Sequence, residues 1–387
     1  MKKVLMIAYY FPPAAGVGTF RITKFMKFLP SFGWEPAILT IKTPYYNNLD
    51  DTLISDIYKN IKVYRTDIAR FPINDVGIKW LPILIKEFKK IINKEKIDVA
   101  YFTGGPFFQW RAAPILKKKY KIPYVVDFRD PWVVNPYKRK KLSFKKIIGN
   151  FLANRWEPII IKNASRVLFA TKPMEEIYSK VYLSYKQKFL TIENGYDPAD
   201  YKDILPKKFS TFSLVYSGKF PHYRDPVPLF SALQELKDII DFQFIHVGRV
   251  ESLLKKLTIS KNLQDRVIFT DLKLYREAIS YSKGANILVL VTGESRTELT
   301  HKVFDYIACN KPIIAITGKD SAVAEVLSHF RNTFIIQNNL EAIKNTIITI
   351  YKAKLSNLEP KDNQALSKYH RKNLTEKLAK ILNKIIS

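Results

Sequence analysis

The sequence predicts an α/β protein built from two Rossmann-like, doubly wound parallel-sheet domains. Three observations carry that expectation. Apolar strand-like runs alternate with helix-like stretches almost throughout the chain. The first run, VLMI, empties into AYYFPPAAGVGTFRITKF, a loop with Gly16 and Gly18 that leads into a helix carrying Arg21. A second strand-helix series begins after Pro206, and 387 residues are long for one core and comfortable for two.

In order, the first series reads as the strand VLMIAYY, a helix from Gly18 to Phe32, the strand PAILTI and an amphipathic stretch around Leu81–Asn93. DVAYFT, a helix at Phe107–Tyr120 and YVVDF follow. The second series reads SLVYSG, a helix at Pro226–Lys237, FQFIHVG, a helix at Glu251–Lys256, VIFTD, NILVLV, a helix at His301–Cys309 and PIIAI. Turn formers and charges in ENGYDPADYKDILPKK mark the boundary, which places one domain at 1–198 and the other at 199–365. Leu366, Tyr369, Leu374, Leu378, Ile381 and Ile385 recur at helical spacing, so 366–387 reads as one helix that crosses back to the first domain. Ligands of such sheets bind at the carboxyl ends of the strands, which makes the cleft between the two halves the expected site.

Composition narrows the function. Hydrophobic residues at 47% and aromatics at 13% describe a folded globular protein. The single cysteine, Cys309, allows no internal disulfide, and no Cys/His spacing or carboxylate cluster suggests a metal. MKKVLMIAYYFPP has the charge of a signal peptide, but its apolar run is short and lacks a small-residue cleavage site; read as a buried strand, it predicts a cytoplasmic protein.

The formal charge of +29 demands a partner. About +17 of it falls in residues 1–150, and YKRKKLSFKKIIGNF interleaves lysines with Phe, Ile and Leu. That segment and IKWLPILIKEFKKIINKEK at Ile78–Lys96 read as attachment to an anionic membrane surface, with solvated helix faces as the alternative. Neither is long enough to span a bilayer. The known nucleic-acid modules are missing from the sequence, so no nucleic-acid partner is expected.

Three motifs carry chemistry. The first loop departs from the dinucleotide fingerprint by placing Arg21 where a third small residue belongs, and the second strand ends AILTIKT without an acid, which argues for a diphosphate or acceptor loop over a nicotinamide site. Gly218, Lys219 and Arg224 follow a strand in the second series; a lysine and an arginine five residues apart can clamp a leaving diphosphate. In TELTHKVFDYIACNKP, Asp305 lies in the first turn of a helix, placed either to accept from a ribose diol or to complement the helix dipole.

Together these elements resemble the family 4 retaining glycosyltransferases, which have the GT-B architecture. Tyr124–Trp132 (YVVDFRDPW) looks like that family's DxRDPW stretch, Glu193–Asp197 (ENGYD) is similar to its NGxD hinge, and Lys302–Pro312 resembles KLFEYLAxGKP. The resemblance covers essentially the whole chain. It implies that Lys219 and Arg224 neutralise a nucleoside diphosphate, that Asp305 is the ribose-binding member of an E-x7-E pair, and that Gly16, Gly18, Arg21, Gly218, Arg249 and Lys302 complete the donor site. Arg129 and Trp132 fall to the acceptor. Thr297 stands where the first Glu of the pair belongs, with Glu294 and Glu298 nearby, and Asn310 replaces a glycine that caps the helix. The strand at Asp98–Pro106 lacks the family's histidine. That leaves Asp127 and Asp130 as acid candidates, with an ion pair to Arg129 as the alternative reading.

The resemblance thus implies sugar transfer from a nucleotide-sugar to a glycan acceptor, with retention. No cofactor is expected, and with no DxD in the chain no metal is expected either. The basic first domain points to a lipid-linked acceptor at the inner face of the membrane, as in bacterial surface polysaccharide synthesis. A GT-B-shaped nucleotide-sugar epimerase, a pyridoxal phosphorylase and a non-catalytic basic binding protein are the alternatives.

Overall fold

The structure is a computed structural model, and it describes residues 1–15, 18–51, 61–134, 144–220, 224–293 and 295–387. The chain divides into two compact units, Met1–Asn194 with Arg371–Ser387, and Gly195–His370.

In the first unit β1 (Lys2–Ile7) leads through α1 (Phe20–Phe28) to β2 (Trp34–Ile41) and β3 (Lys62–Thr66). After these come α2 (Val76–Lys94), β4 (Val99–Thr103), α3 (Ala112–Tyr120), β5 (Tyr124–Phe128), α4 (Phe144–Asn163), β6 (Arg166–Phe169), α5 (Lys172–Val181) and β7 (Phe189–Thr191). The strands form one parallel sheet in the order β3-β2-β1-β4-β5-β6-β7. Alternate side chains of β1 enter opposite cores, as the two-residue strand period requires. Leu5 and Ile7 join Trp80, Leu84 and Phe88 of α2, while Val4 and Met6 join Ile22, Phe25 and Met26 of α1. Helices therefore cover both faces, which is why β4 and β5 are apolar along nearly their whole length.

The second unit repeats the plan. β8 (Phe212–Ser217), α6 (Val227–Leu236), β9 (Phe242–Val247), α7 (Ser252–Ser260), β10 (Val267–Phe269) and α8 (Tyr275–Gly284) come first. β11 (Ile287–Gly293), α9 (Lys302–Cys309), β12 (Ile313–Thr317), α10 (Ala322–Leu327), β13 (Phe330–Arg331), β14 (Thr333–Ile336), α11 (Leu340–Lys352), β15 (Glu359–Pro360) and α12 (Asn363–Lys368) complete it. Its six-stranded parallel sheet runs β10-β9-β8-β11-β12-β14, the same order as the first six strands of unit one. In each sheet the order reverses beside the first strand, between β1 and β4 and between β8 and β11. Those are the points where ligands bind doubly wound sheets.

The last helix corrects one expectation. Residues 366–387 do not form one helix: α12 ends at Lys368 and α13 spans Arg371–Ile386. Tyr369 is buried in the second unit, where its carbonyl accepts from the Tyr196 amide, whereas Leu374, Leu378 and Leu382 pack beside α1 in the first. Gly195–Asp200 belong to the second unit, so the compact units divide after Asn194, a few residues before the boundary expected after residue 198. The helix from Gly18 to Phe32 is shorter than expected, because Leu29–Phe32 tightens to a 3-10 turn that Gly33 ends with φ 81°.

The Ile78–Lys96 segment also reads differently in the fold. Its apolar residues Trp80, Leu84, Phe88 and Ile91 are core, so they offer nothing to a membrane. The YKRKKLSFKKIIGNF segment, Tyr137–Phe151, falls partly outside the described residues; within α4, Ile148 and Phe151 are exposed. Among the described residues no helix is long and apolar enough to cross a membrane.

Candidate active site

In the first unit the expected site residues gather where β1, β4 and β5 end. Asp127 lies on the central strand β5, and its carboxylate is fully buried. A charge there needs a partner. Arg21, itself 1% exposed, supplies a two-pronged one: Nε donates to Oδ2 and Nη2 to Oδ1, both at 2.8 Å, while Thr103 Oγ1 adds a bond of 2.7 Å to Oδ2. Burial alone would raise the Asp127 carboxyl, but the Arg21 guanidinium outweighs it and holds the group below the usual carboxylate range. Arg21 Nη1 reaches the Glu193 carbonyl at 3.0 Å. Arg21 and Asp127 thus form an internal brace. The structure favours the ion-pair reading for Asp127, although its partner is Arg21 and not Arg129, and it commits the Arg21 guanidinium to Asp127 and the Glu193 carbonyl.

Arg129 is placed differently. It is half-buried, and its Nη1 donates to the Gly18 carbonyl. Its guanidinium lies against the bare face of Gly104, where φ is +58° and any Cβ would fall 1.9–2.2 Å from the guanidinium atoms. Asp130 is exposed beyond it. Trp132 stacks on Phe107 at 5.4 Å and 15°, and the amides of Trp132 and Val133 are held by Tyr178 Oη and by the buried Glu157 carboxylate. Glu157 was missed by sequence reasoning; it fixes the DPW stretch. Gly16 lies outside the described residues.

In the second unit the strand-end residues form a polar group around Gly218, whose φ is +91°. Lys302, from the first turn of α9, lies over that glycine, and a Cβ there would come 2.8 Å from its Cε. Its ammonium donates to Tyr216 Oη at 3.0 Å, and Tyr216 Oη donates to the Lys219 carbonyl at 2.9 Å. Burial and the charge of Arg224 push Lys302 down to about 7, against the pull of Glu298, Asp305 and Glu251. His246 stacks on Tyr216 at 5.4 Å, and burial holds its imidazole down at about 4, hence neutral.

Lys219 and Arg224 stand in different environments. Lys219 is exposed, and its ammonium has no partner among the described residues. Arg224 is 4% exposed and ion-paired to Glu298. That pairing brings two expected site residues together and places Glu298 within the site, while Thr297 is buried and Glu294 lies outside the described residues. Arg224 also lines a cavity of about 680 Å³ at the ends of β11, β12 and β14, with Arg296, Thr317, Lys319, Ser321 and Asn339. This is the size of a small-ligand site.

Asp305 is nearly buried, and its Oδ1 accepts from Tyr201 at 2.7 Å and Tyr275 at 2.6 Å. Oδ2 has no hydrogen bond among the described residues. Asn310 closes α9 in the left-handed conformation, φ 58° and ψ 46°, as its replacement of glycine predicts. Arg249 follows β9 and is exposed.

Comparison with known proteins accords with this geometry. Residues 21–200 match the family described as Glycosyltransferase Family 4, and residues 199–373 match Glycosyl transferases group 1. No curated protein matches the sequence. Among solved structures, a glycosyltransferase from Rickettsia africae aligns with TM-score 0.69 at 15% identity, over 100% of this chain and 99% of that one. The Anabaena protein HepE in complex with UDP and glucose aligns at 0.67 and 15%, over 99% of this chain and 100% of that one. Sucrose-phosphate synthase from Thermosynechococcus elongatus aligns at 0.67 and 16%, over 100% and 95%. At such identities these likenesses show the fold, and the family matches extend across both units. The chain is a family 4-like glycosyltransferase of the GT-B fold, an enzyme that transfers sugar.

Proposed function

We propose that the enzyme takes its sugar from a nucleotide-sugar held at the strand ends of the second unit and passes it to a glycan acceptor held by the first. The observation that carries this reading is the cation set around Gly218. Exposed Lys219, Lys302 over the glycine and the Arg224–Glu298 pair beside a cavity of about 680 Å³ offer positive charge and space where a nucleoside diphosphate leaves. HepE, with UDP and glucose bound, supports it by analogy of fold.

In this reading Lys219 and Lys302 stabilise the charge that develops on the departing diphosphate. Asp305 Oδ2 accepts from the ribose. Glu298, oriented by Arg224, faces the transferred sugar. Transfer with retention and without a metal belongs to the same reading, with protein cations in the role a divalent ion plays elsewhere. Asp130, exposed at the end of β5, is the acid candidate left in the first unit.

We also propose a lipid-linked acceptor at the inner membrane face, in surface polysaccharide assembly. The support is the basic first unit and the exposed Ile148 and Phe151 of α4. Incubation with a panel of nucleotide-sugars tests the activity. The reading expects release of one nucleoside diphosphate, faster with acceptor lipid present. An altered sugar still attached to its nucleotide, with no release, would make the protein an epimerase and overturn it.

A further inference from the structure

Three strand-end loops of the first unit converge on Arg129, and among the described residues its guanidinium forms no ion pair. Nη1 is bonded to a neutral carbonyl, that of Gly18, and Nε is buried without a partner among the described residues. No carboxylate among those residues reaches ion-pair distance. Asp127, the buried acid two positions earlier on β5, is committed to Arg21 and Thr103, and exposed Asp130 acts on Arg129 only through space. Burial also lowers the basicity of the guanidinium, so the protonated form gains from any anion brought beside it. The fork of an arginine matches the oxygens of a phosphate or a carboxylate.

A second observation identifies what lies next to that anion. Gly18 separates Arg129 from Tyr10: a Cβ at this glycine would stand 3.4 Å from Arg129 Nη1 and 3.5 Å from Cβ and Cδ2 of Tyr10. Tyr10 is 41% exposed and braced from behind, its ring stacked on Tyr46 at 6.4 Å and 26°. A rigid aromatic face beside an uncompensated guanidinium fits a sugar ring that bears an anionic substituent.

We infer that the first unit recognises an anionic glycan acceptor, a sugar carrying a phosphate or a carboxylate, with Arg129 on the anion and Tyr10 against the ring. This rests on the proposal that the first unit holds the acceptor. The anion has two sources, the phosphate that links a glycan to its carrier or the carboxylate of an acidic sugar, and both present the same oxygens to Arg129.

The test uses the full-length protein with glucose 1-phosphate, glucuronate and glucose as probes. Each is titrated by ligand-observed nuclear magnetic resonance with and without a saturating nucleoside diphosphate. The expected result is that one or both anionic sugars bind at least tenfold tighter than glucose whether or not the nucleotide is present. Preference for the phosphate or for the carboxylate tells the two sources apart. Arg129→Gln should remove the tenfold gap, and Arg129→Lys should retain part of it. In both variants nucleoside diphosphate affinity should stay within twofold of the parent. Equal binding of all three sugars would overturn the inference, as would an undiminished gap in Arg129→Gln. If Arg129→Gln weakens the nucleoside diphosphate tenfold, the guanidinium serves the donor and the inference is again overturned. Absence of any nucleoside diphosphate binding in the parent would instead overturn the donor reading, while the sugar titration alone still decides this one.

Discussion

Replacing Asp127 by asparagine separates a structural brace from a catalytic acid. The carboxylate is fully buried with its oxygens taken by Arg21 and Thr103, so the change leaves the Arg21 guanidinium charged, desolvated and without its counter-ion. Removing one member of a buried pair costs ~3–5 kcal/mol. At ~2–4 °C per kcal/mol for a domain of this size, the melting temperature should fall by roughly 6–20 °C. All the tryptophans, Trp34, Trp80, Trp110, Trp132 and Trp156, belong to the first unit, so tryptophan fluorescence reads the melting of that unit alone. The pair also sets an acid dependence. Because the folded-state Asp127 pKa is depressed, its contribution is complete above the unfolded value near ~3.9 and is lost as pH falls through the folded value. The variant should therefore lose less stability on acidification than the parent. The double change Arg21→Met/Asp127→Leu should recover much of the loss, since an apolar pair of similar volume replaces both charges. An Asp127→Asn protein that melts within ~2 °C of the parent but has lost transfer would refute the brace and return Asp127 to the chemistry.

Four further outcomes follow from the geometry. Lys302 is protonated below about 7, so nucleoside diphosphate affinity should fall as pH rises through 7, and Lys302→Arg should flatten that profile in calorimetric titrations. The same group makes the second unit gain stability with pH between about 7 and ~10.4, because the unfolded lysine keeps its proton there and the folded one does not. Gly104→Ala places a methyl group on the guanidinium of Arg129 in a left-handed backbone position; it should destabilise by ~1–2 kcal/mol in denaturant titration and reduce anionic-sugar binding as Arg129→Gln does. Binding to anionic liposomes should weaken several-fold between low and high salt, and Ile148→Asp/Phe151→Asp should weaken it further in a sedimentation assay.

The sheets were legible because each buried strand announces itself as an apolar run, and Gly218 after SLVYS falls at the end of its strand as the pattern requires. Pairing among polar residues was not. Arg21 and Asp127 stand 106 positions apart, Arg224 and Glu298 stand 74 apart, and only strand order and register bring each pair together. Sequence spacing therefore read Lys219 and Arg224 as equals, although one is exposed and the other is held inside by Glu298. Gly104–Gly105–Pro106 right after a strand was visible as the absence of a histidine; its meaning as room for Arg129 required β5 to lie next to β4. The terminal amphipathic run failed for a related reason. Helical periodicity shows which residues are buried but not in which core, and Tyr369 and Leu374 belong to different ones.

The claim that the second unit is a nucleotide-sugar site is tested most directly by calorimetric titration of UDP, GDP, ADP and CMP into the parent and into Lys219→Ala. Lys219 is exposed and its ammonium pairs with nothing among the described residues, so the variant should melt as the parent does. The account predicts saturable binding of one nucleoside diphosphate at the parent, weakened by roughly tenfold, ~1.4 kcal/mol, in the variant. Equal affinity in both proteins, or no binding by the parent at millimolar nucleotide, would contradict it.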